Sequence, residues 1–353
     1  MELTGKNVLV VGLARSGMAA IKVLHRLGAV ITLSESKKKE YTKELPELEK
    51  LGVTVVDQSM QVFEGDYALV VKNPGVPFRS PMMQRLAEVF GGGVVLRLAE
   101  RNIPVITEIE LAYNVAKPQH YVAITGTNGK TTTSTLVYEL LAKTFPGKTH
   151  LCGNIGIPLC ETVLENGLME EGGHYIALEI SNFQLVNIDR FRPEAAVILN
   201  LTPDHVDFMG SLDAYYKSKT EVYRNMSGSD LFLLNADDPV LAEYTAKYPV
   251  NCTVRTFSTD RSDTDSCVSG GYVCVNGEKV LPLDLIKIIG KHNLQNIIVA
   301  VSIAKAFGVT NEDICSVIAD FRGVEHRIEF VRELNGVKYY NDSKGTNTDA
   351  TVT

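Results

Sequence analysis

A chain of 353 residues, 45% hydrophobic and 22% charged, is long enough for two or three packed units and has ordinary globular composition. Its formal net charge of -7 at pH 7 gives no basic field for nucleic acid or an anionic membrane, so anionic ligands must be held by local groups. Six cysteines without CxxC spacing (Cys152, Cys160, Cys252, Cys267, Cys274, Cys315), an N-terminus that runs straight into a strand, and apolar runs short of the roughly 18 residues of a membrane helix argue against a zinc site, a disulfide framework, a signal segment or a membrane span, and point to a cytoplasmic protein with free thiols.

In chain order, Asn7–Val11 reads as a buried parallel strand. Gly12-Leu-Ala-Arg-Ser-Gly17 reads as a tight turn, Met18–Leu27 as the helix it feeds, and Val30–Ser34 as a second strand ending at Glu35. This is the opening of a Rossmann-like unit, with Glu35 about where a ribose-binding acid stands. Ala14 replaces the second fingerprint glycine, where a pyrophosphate must approach the backbone, so the pattern speaks for a nucleotide more than for NAD. Val53–Val56 and Tyr67–Val71 read as further strands. Lys72-Asn-Pro-Gly-Val-Pro77 reads as a rigid turn at a strand's C-terminal end, where open α/β sheets place ligands. Gly91-Gly92-Gly93 marks a flexible connection, Pro104–Thr107 a last strand, and Lys117-Pro118 the end of a first domain, residues 1–118.

Tyr121–Thr125 is a short β-rich run entering Gly126-Thr-Asn-Gly-Lys-Thr131, after which Leu136, Val137, Leu140 and Leu141 recur at helical spacing. Strand, glycine loop, Lys-Thr and helix together suit a polyphosphate. The glycines let N–H groups turn inward, the helix N-terminus adds partial positive charge, Lys130 adds a full one, and the Thr131 hydroxyl stands where Mg²⁺ needs a ligand. The loop is a compact form, since Ile124 occupies the position of the first glycine of the longer pattern. Cys152-Gly-Asn-Ile-Gly-Ile-Pro158 is another glycine-rich loop. His174–Ile180 reads as a strand delivering Glu179 beside the phosphate loop, either as a Mg²⁺ ligand or as an ordinary strand-end acid. Ala195–Asn200 is the next strand, with Asp204 and His205 beyond its C-terminal end, and Asp213 is the expected cap of a helix carrying Tyr215, Tyr216, Lys217 and Lys219.

Leu231–Asn235 reads as a strand, and Tyr272–Val275 with Lys279–Leu283 as a hairpin about Asn276-Gly277. Gly290–Asn296 opens a helix running to about Phe307, and Glu312–Phe321 is a last amphipathic helix before a boundary near Val324, giving a second domain over residues 119–325. A second hairpin about Asn335-Gly336, pairing Ile328–Leu334 with Val337–Asn341, leads into Asp342-Ser-Lys-Gly-Thr-Asn347. Residues 326–353 are too few for a core of their own and read as the beginning of a truncated third α/β domain.

Thr125–Thr132, Gly153-Asn-Ile-Gly156, Asp204-His205, the Tyr215/Lys219 helix, Gly290-Lys-His-Asn293, His326-Arg327 and Asn341-Asp-Ser-Lys344 form an ordered set. The set resembles the Mur ligases, ATP-dependent enzymes that extend the peptide stem of cell-wall precursors, over essentially the whole chain. Glu179-Ile-Ser-Asn-Phe-Gln-Leu185 is similar to the run of the branch that adds D-glutamate, differing at Ile180 and Asn182. Lys72-Asn-Pro-Gly75 and Asn341–Asn347 point the same way, with Gly345 where Ala or Ser is more usual. The resemblance implies an α/β fold with a Rossmann-like UDP-binding domain, a central P-loop-type ATPase domain and the start of an amino-acid-binding domain. It implies ligation of D-glutamate to UDP-N-acetylmuramoyl-L-alanine through an acyl phosphate, by a cytoplasmic monomer using ATP and Mg²⁺.

By residue, the resemblance implies ATP contacts from Gly126, Thr127, Asn128, Gly129, Lys130, Thr131, Thr132, Asn293, Arg327 and Asp342. Thr131 and Glu179 would hold one Mg²⁺, and His205 would help hold a second. Lys219 would be carbamylated, because an ammonium is repelled by Mg²⁺ whereas CO₂ added to a neutral amine makes an anionic oxygen ligand; without the resemblance it reads as a solvated surface lysine. Leu13, Ser16, Gly17, Glu35, Ser36, Asn73 and Gly75 would line the UDP site, Asn154 and His205 the muramoyl-alanine end, and Lys344 and Thr346 would reach the substrate from the third segment. Lys130, Glu179, His205, Lys219 and Asn154 are thus the expected catalytic set. Three other readings compete. One is another Mur ligase or a folylpolyglutamate synthase, which share the loop and the lysine. Another is a fragment that binds substrate but barely turns over, because most acceptor contacts belong to the third domain. The last is an NAD-dependent dehydrogenase, which rests on Gly12–Gly17 and Glu35 alone.

Overall fold

The structure, a computed structural model, describes residues 1–35, 43–56, 66–76, 97–98, 103–204, 209–325, 327 and 329–343. Expectations for Ser36, Pro77, Gly91–Gly93, His205, His326, Ile328, Lys344, Gly345, Thr346 and Asn347 fall outside the described residues.

The first sheet contains β1 (Asn7–Val11), β2 (Val30–Ser34), β3 (Thr54–Val56), β4 (Leu69–Lys72), β5 (Arg97–Leu98) and β6 (Ile103–Ile106). Their order is β3-β2-β1-β4-β6-β5, parallel except for β5. Four of the five β1 residues are buried, as a strand covered on both faces requires. Because β1 pairs with β2 on one side and β4 on the other, the strand order reverses there, and a crevice opens at Gly12 and Asn73. Helix α1 runs from Ala14 to Arg26, four residues earlier than its predicted start. The chain turns at Gly12, at φ +83, and Ala14, at φ +26, so Gly17 lies within the helix instead of the turn. A Cβ on Gly17 would stand 2.2 Å from the Gly12 carbonyl oxygen, which is why only glycine permits this close helix–strand approach. Helices α2 (Leu45–Lys50) and α3 (Glu108–Val115) complete this unit.

The second sheet contains β7 (His120–Thr125), β8 (Thr149–Gly153), β9 (Tyr175–Glu179), β10 (Ala195–Ile198), β11 (Gly228–Asn235), β12 (Cys252–Phe257), β13 (Ser266–Ser269), β14 (Tyr272–Val275) and β15 (Glu278–Pro282). Their order is β15-β14-β13-β12-β11-β10-β7-β9-β8, with antiparallel pairing confined to the β13-β14-β15 end. The intervening helices are α4 (Lys130–Thr144), α5 (Leu159–Glu165), α6 (Asn182–Leu185), α7 (Leu212–Thr220), α8 (Pro239–Lys247), α9 (Lys291–Ala306) and α10 (Asn311–Asp320). On one face α4, α9 and α10 bury Leu136, Val137, Ile297, Val301 and Ile314. The other face shares a continuous core with the first unit, in which Ile176, Leu178 and Phe191 join Ile21, Leu24 and Ile109. β16 (Glu329–Leu334) and β17 (Val337–Asn341) pair about Asn335-Gly336. This turn and the one at Asn276-Gly277 have positive φ at both residues, the conformation for which the Asn-Gly pairs were read.

One cap differs from expectation. Ser211, not Asp213, caps α7: its side chain accepts from the Ala214 N–H while its backbone stays extended. Asp213 lies one position inside the first turn and instead accepts from the Tyr244 hydroxyl at 2.7 Å. All six cysteines are free thiols. No helix among the described residues is long and apolar enough to cross a membrane.

The first turn of α3 carries two buried acids at the junction of the units. Glu110 accepts the backbone N–H groups of Asp189, Arg190 and Phe191 at 2.9–3.0 Å, which satisfies its charge. Glu108 accepts from the Cys160 N–H, but its Oε2 is buried with no partner among the described residues. Burial pushes the Glu108 carboxyl up from 4.5 to about 7. The folded chain therefore holds this proton to higher pH than the unfolded chain does. The stabilisation is fully present below pH 4.5 and is lost as pH rises through about 7. On the order of 3 kcal/mol is at stake, at ~1.4 kcal/mol per unit. Glu108→Gln keeps the acceptor and removes the titration. It should raise the urea midpoint at pH 8 and leave it nearly unchanged at pH 5, so parallel midpoint curves for the two proteins would refute this.

Candidate active site

β7 ends at Thr125, and the chain turns through Gly126 at φ +146 and Gly129 at φ +85 before α4 begins at Lys130. Both glycines are dictated by close approach: a Cβ on Gly129 would lie 2.5 Å from Asn296 Oδ1, and one on Gly126 would lie 3.0 Å from Leu199 Cβ. α4 presents its first-turn N–H groups, which the helix itself cannot satisfy, toward the loop. The flanking strands converge here, because β9 and β10 pair with β7 on either side and bring Glu179 and residues 199–200 to the same end of the sheet.

Lys130 and Lys219 meet over this loop. Lys130 Nζ donates to the Gly126 and Thr127 carbonyls at 3.0 and 2.9 Å, and Lys219 Nζ donates to the same Gly126 carbonyl at 3.0 Å. Lys219 is only 2% exposed and lies over the Tyr215 ring, 4.6 Å from its centroid, so it is no solvated surface lysine. Burial drives its pKa well below the ordinary lysine value, and the neighbouring Lys130 charge pushes the same way against Asp204. The Lys130 pKa is also lowered by burial, with Arg327 adding to the effect and Glu179 and Asp204 opposing it. Two amines sharing one carbonyl in a desolvated corner disfavour carrying both charges at once.

Glu179, at the end of β9, is 2% exposed. Its Oε1 accepts from Asn154 Nδ2 at 2.7 Å, while its Oε2 is buried and has no partner among the described residues. Asn154 is fixed in turn, since its N–H donates to the Glu179 carbonyl at 2.8 Å. Gly153 must lack a side chain there, because a Cβ would fall 2.3 Å from the same carbonyl. An orphaned carboxylate oxygen beside a phosphate loop, with buried Thr131 opening the next helix, fits a hard divalent cation. Among the described residues, which do not include His205, no three His, Cys, Asp or Glu side chains converge as a ready metal cage.

A cavity of about 800 Å³ adjoins the loop. It brings Asn128, Gly129 and Thr132 together with Asn293, Arg327 and Asp342. Asn293 at the start of α9 is held by its donation to the Ile289 carbonyl at 2.7 Å. A second cavity of about 630 Å³ lies along α1 and includes Leu13 and Glu35, but Ser16, Gly17, Asn73 and Gly75 do not line it. The Leu13 N–H donates to Glu35 Oε2 at 2.8 Å, Ser16 and Gly17 lie in the first turns of α1, and Asn73 caps its own turn by accepting from the Gly75 N–H at 2.9 Å. Asn73 Nδ2 is buried without a partner among the described residues.

Arg15 was not foreseen from the sequence. It lines the second cavity and donates to the carbonyl of Gly156, tying α1 to the loop that carries Asn154. Nor were Asn200, which binds Asn128 of the loop from 72 positions away, and Asn296, which accepts from Thr133 in the first turns of α4 from 163 positions away. The only local sign of either was an amide closing an apolar run or repeating three positions after Asn293.

Residues 124–304 match the Mur ligase middle domain. The UDP-N-acetylmuramoylalanine–D-glutamate ligase of Geobacillus sp. (strain WCH70) is 38% identical over 348 residues, 98% of this chain and 73% of its own. The enzyme of that name from Enterococcus hirae is 39% identical over 350 residues, 98% of this chain and 72% of its own. The solved UDP-N-acetylmuramate–alanine ligase of Thermotoga maritima superposes with a TM-score of 0.54 at 24% identity, over 97% of this chain and 75% of that one. The UDP-N-acetylmuramate:L-alanyl-γ-D-glutamyl-meso-diaminopimelate ligase of Neisseria meningitides gives 0.59 at 18% identity, over 91% of this chain and all of the other. At such identities the structural matches speak for the fold alone.

Proposed function

The chain belongs to the Mur ligase family, and from that premise we propose that it joins D-glutamate to UDP-N-acetylmuramoyl-L-alanine using ATP. The observation that carries this reading is the convergence of Lys130 and Lys219 on the Gly126 carbonyl beside the orphaned oxygen of Glu179. A carboxylate cannot form an amide directly, because oxide is too poor a leaving group. In this reading the alanyl carboxylate oxygen attacks the γ-phosphorus of ATP, the bond to the bridging oxygen breaks, and ADP leaves. The amine of D-glutamate then attacks the carbonyl carbon of the acyl phosphate. Inorganic phosphate departs from the tetrahedral intermediate with the C–O electron pair, and the amine loses its proton.

Most of the catalytic task is neutralising charge during phosphoryl transfer. Lys130, turned from the loop carbonyls, would meet the terminal phosphates. Thr131 and Glu179 would hold Mg²⁺, with Asn154 fixing the rotamer that aims Oε2 at it; the cation supplies charge neutralisation on the phosphate oxygens. Burial disfavours the protonated form of the Lys219 amine; the neutral amine can add CO₂, forming an N–C bond and releasing a proton, and the resulting carbamate would be an anionic ligand for a second cation together with His205. Asn293 and Arg327 would approach the adenine and phosphates of ATP, and Asp342 the ribose. Leu13, Ser16, Gly17, Glu35, Ser36, Asn73 and Gly75 would hold the UDP group, with Asn154, His205, Lys344 and Thr346 toward the rest of the substrate. The same reading divides the chain into a UDP-binding domain (1–118), an ATP-binding domain (119–325) and the start of an amino-acid-binding domain (326–353), working as a cytoplasmic monomer.

The test is phosphate release with UDP-N-acetylmuramoyl-L-alanine, ATP and one amino acid at a time. D-Glutamate should support release, and meso-diaminopimelate and L-lysine should not. Equal release with either of the latter would assign the chain to another step of the family.

A further inference from the structure

We propose that Asn200 is the positioning residue of the phosphate loop, holding it in the shape that receives the nucleotide; the proposal rests on the ATP reading above. Asn200 follows β10 by two positions and faces the loop across the sheet end. Its Oδ1 accepts from both the Thr127 and the Asn128 N–H groups, at 3.1 and 2.9 Å. Its Nδ2 donates to the Asn128 carbonyl at 3.1 Å, and its own backbone carbonyl accepts from the Thr127 N–H at 3.1 Å. One carboxamide therefore clasps the loop's backbone from both its donor and its acceptor side, as a neighbouring strand would.

The adjoining residues extend the clasp. Thr127 Oγ1 donates to the Thr202 carbonyl and accepts from the Thr202 N–H, both at 3.1 Å, and lies 3.3 Å from the Tyr215 hydroxyl. The phosphate loop is thus bound to the segment that runs on to Asp204 and to the helix carrying Lys219. Two consequences follow. The N–H groups of Thr127 and Asn128 are already satisfied, so the phosphates are left to the first-turn N–H groups of α4 and to Lys130. The clasp also holds the loop backbone against the segment and helix that carry Asp204 and Lys219, so the Gly126 and Thr127 carbonyls stay in place when Lys130 turns from them to the phosphates.

An amide suits this place because it offers acceptor and donor at once without charge. Aspartate would keep the shape and the acceptor but lose the donor, and would set a negative charge beside the incoming phosphates. Alanine would remove the side-chain acceptor shared by the Thr127 and Asn128 N–H groups and the donor to the Asn128 carbonyl, leaving only the backbone bond from the Thr127 N–H to the Asn200 carbonyl.

The experiment measures Mg²⁺-ATP and UDP-N-acetylmuramoyl-L-alanine dissociation constants by titration calorimetry, with the thermal midpoint, for wild type, Asn200→Ala and Asn200→Asp. Both variants should bind ATP about 10- to 100-fold more weakly, with Asn200→Asp the weaker although it is closer in shape. Affinity for the nucleotide-sugar acid should stay within twofold of wild type, and the loss in steady state should appear chiefly in KM for ATP. Should Asn200→Ala not fold, Asn200→Asp carries the test alone. ATP affinity within twofold of wild type in a folded variant would overturn the proposal. So would a parallel loss of both ligands and of thermal stability, which would mark a merely structural residue. A wild type that binds no ATP would instead remove the reading beneath it.

Discussion

Lys219→Ala should lower turnover by about 10³-fold while leaving ATP binding within a few-fold of wild type. The reason lies in where the amine sits. It is buried and next to the Lys130 ammonium, and both disfavour its protonated form against the opposing pull of Asp204 and the Tyr215 ring. A protonated lysine there would repel both Lys130 and any cation bound at Glu179. A carbamate would do the opposite, placing an anionic oxygen where positive charge is concentrated. Three outcomes separate this from loss of a packing residue. Short carboxylic acids should partly restore Lys219→Ala by lending the missing carboxylate. Wild type stripped of CO₂ and bicarbonate should lose activity and regain it on their return. Lys219→Arg, which keeps length and charge but cannot be carbamylated, should be as inactive as the alanine variant and resist rescue. Full activity in Lys219→Ala would end the assignment.

Glu179→Gln should have the next largest effect, a fall in turnover of about 10²- to 10³-fold with a marked loss of Mg²⁺ affinity. The amide can still accept from Asn154 at the position of Oε1, so the local hydrogen bond survives. What changes is the other atom: the orphaned Oε2 becomes an NH₂ that points at the place of the cation. Binding of ATP without metal should be unchanged or tighter, because one negative charge beside the phosphates is gone. Titrating Mg²⁺ against fixed ATP in the two proteins checks this. Superimposable Mg²⁺ curves would show that Glu179 is the ordinary strand-end acid.

The parts of the fold that rest on local chemistry were legible beforehand. Asn276-Gly277 and Asn335-Gly336 specify their turns because both positions need positive φ, and β1 declares itself as an unbroken apolar run. β8 and β12 did not, because His150, Arg255 and three threonines interrupt their apolar pattern. The start of α1 was misplaced because Gly17 reads as a turn residue, whereas its absent Cβ serves the contact with Gly12. Ser211 and Asp213 are equally good caps by composition, and only the backbone decides between them.

In the site, the glycine loop announced itself through its neighbours in sequence. The burial of Lys219 could not, since α7 buries Tyr215, Tyr216, Ser218 and Lys219 on more than one side and leaves no single apolar stripe. The clasp of Asn200 on Asn128 spans 72 positions, and the donation of Arg15 to Gly156 spans 141. Contacts of that kind exist only once the sheets are assembled.

In the proposed reaction the cleft passes a phosphoryl group from ATP to the substrate's own carboxylate. The most direct measurement uses UDP-N-acetylmuramoyl-L-alanine labelled with ¹⁸O in both carboxylate oxygens, incubated with ATP, Mg²⁺ and D-glutamate. The released phosphate should carry one ¹⁸O and the peptide product the other. Unlabelled phosphate, with both labels retained on an unligated substrate, would contradict the account.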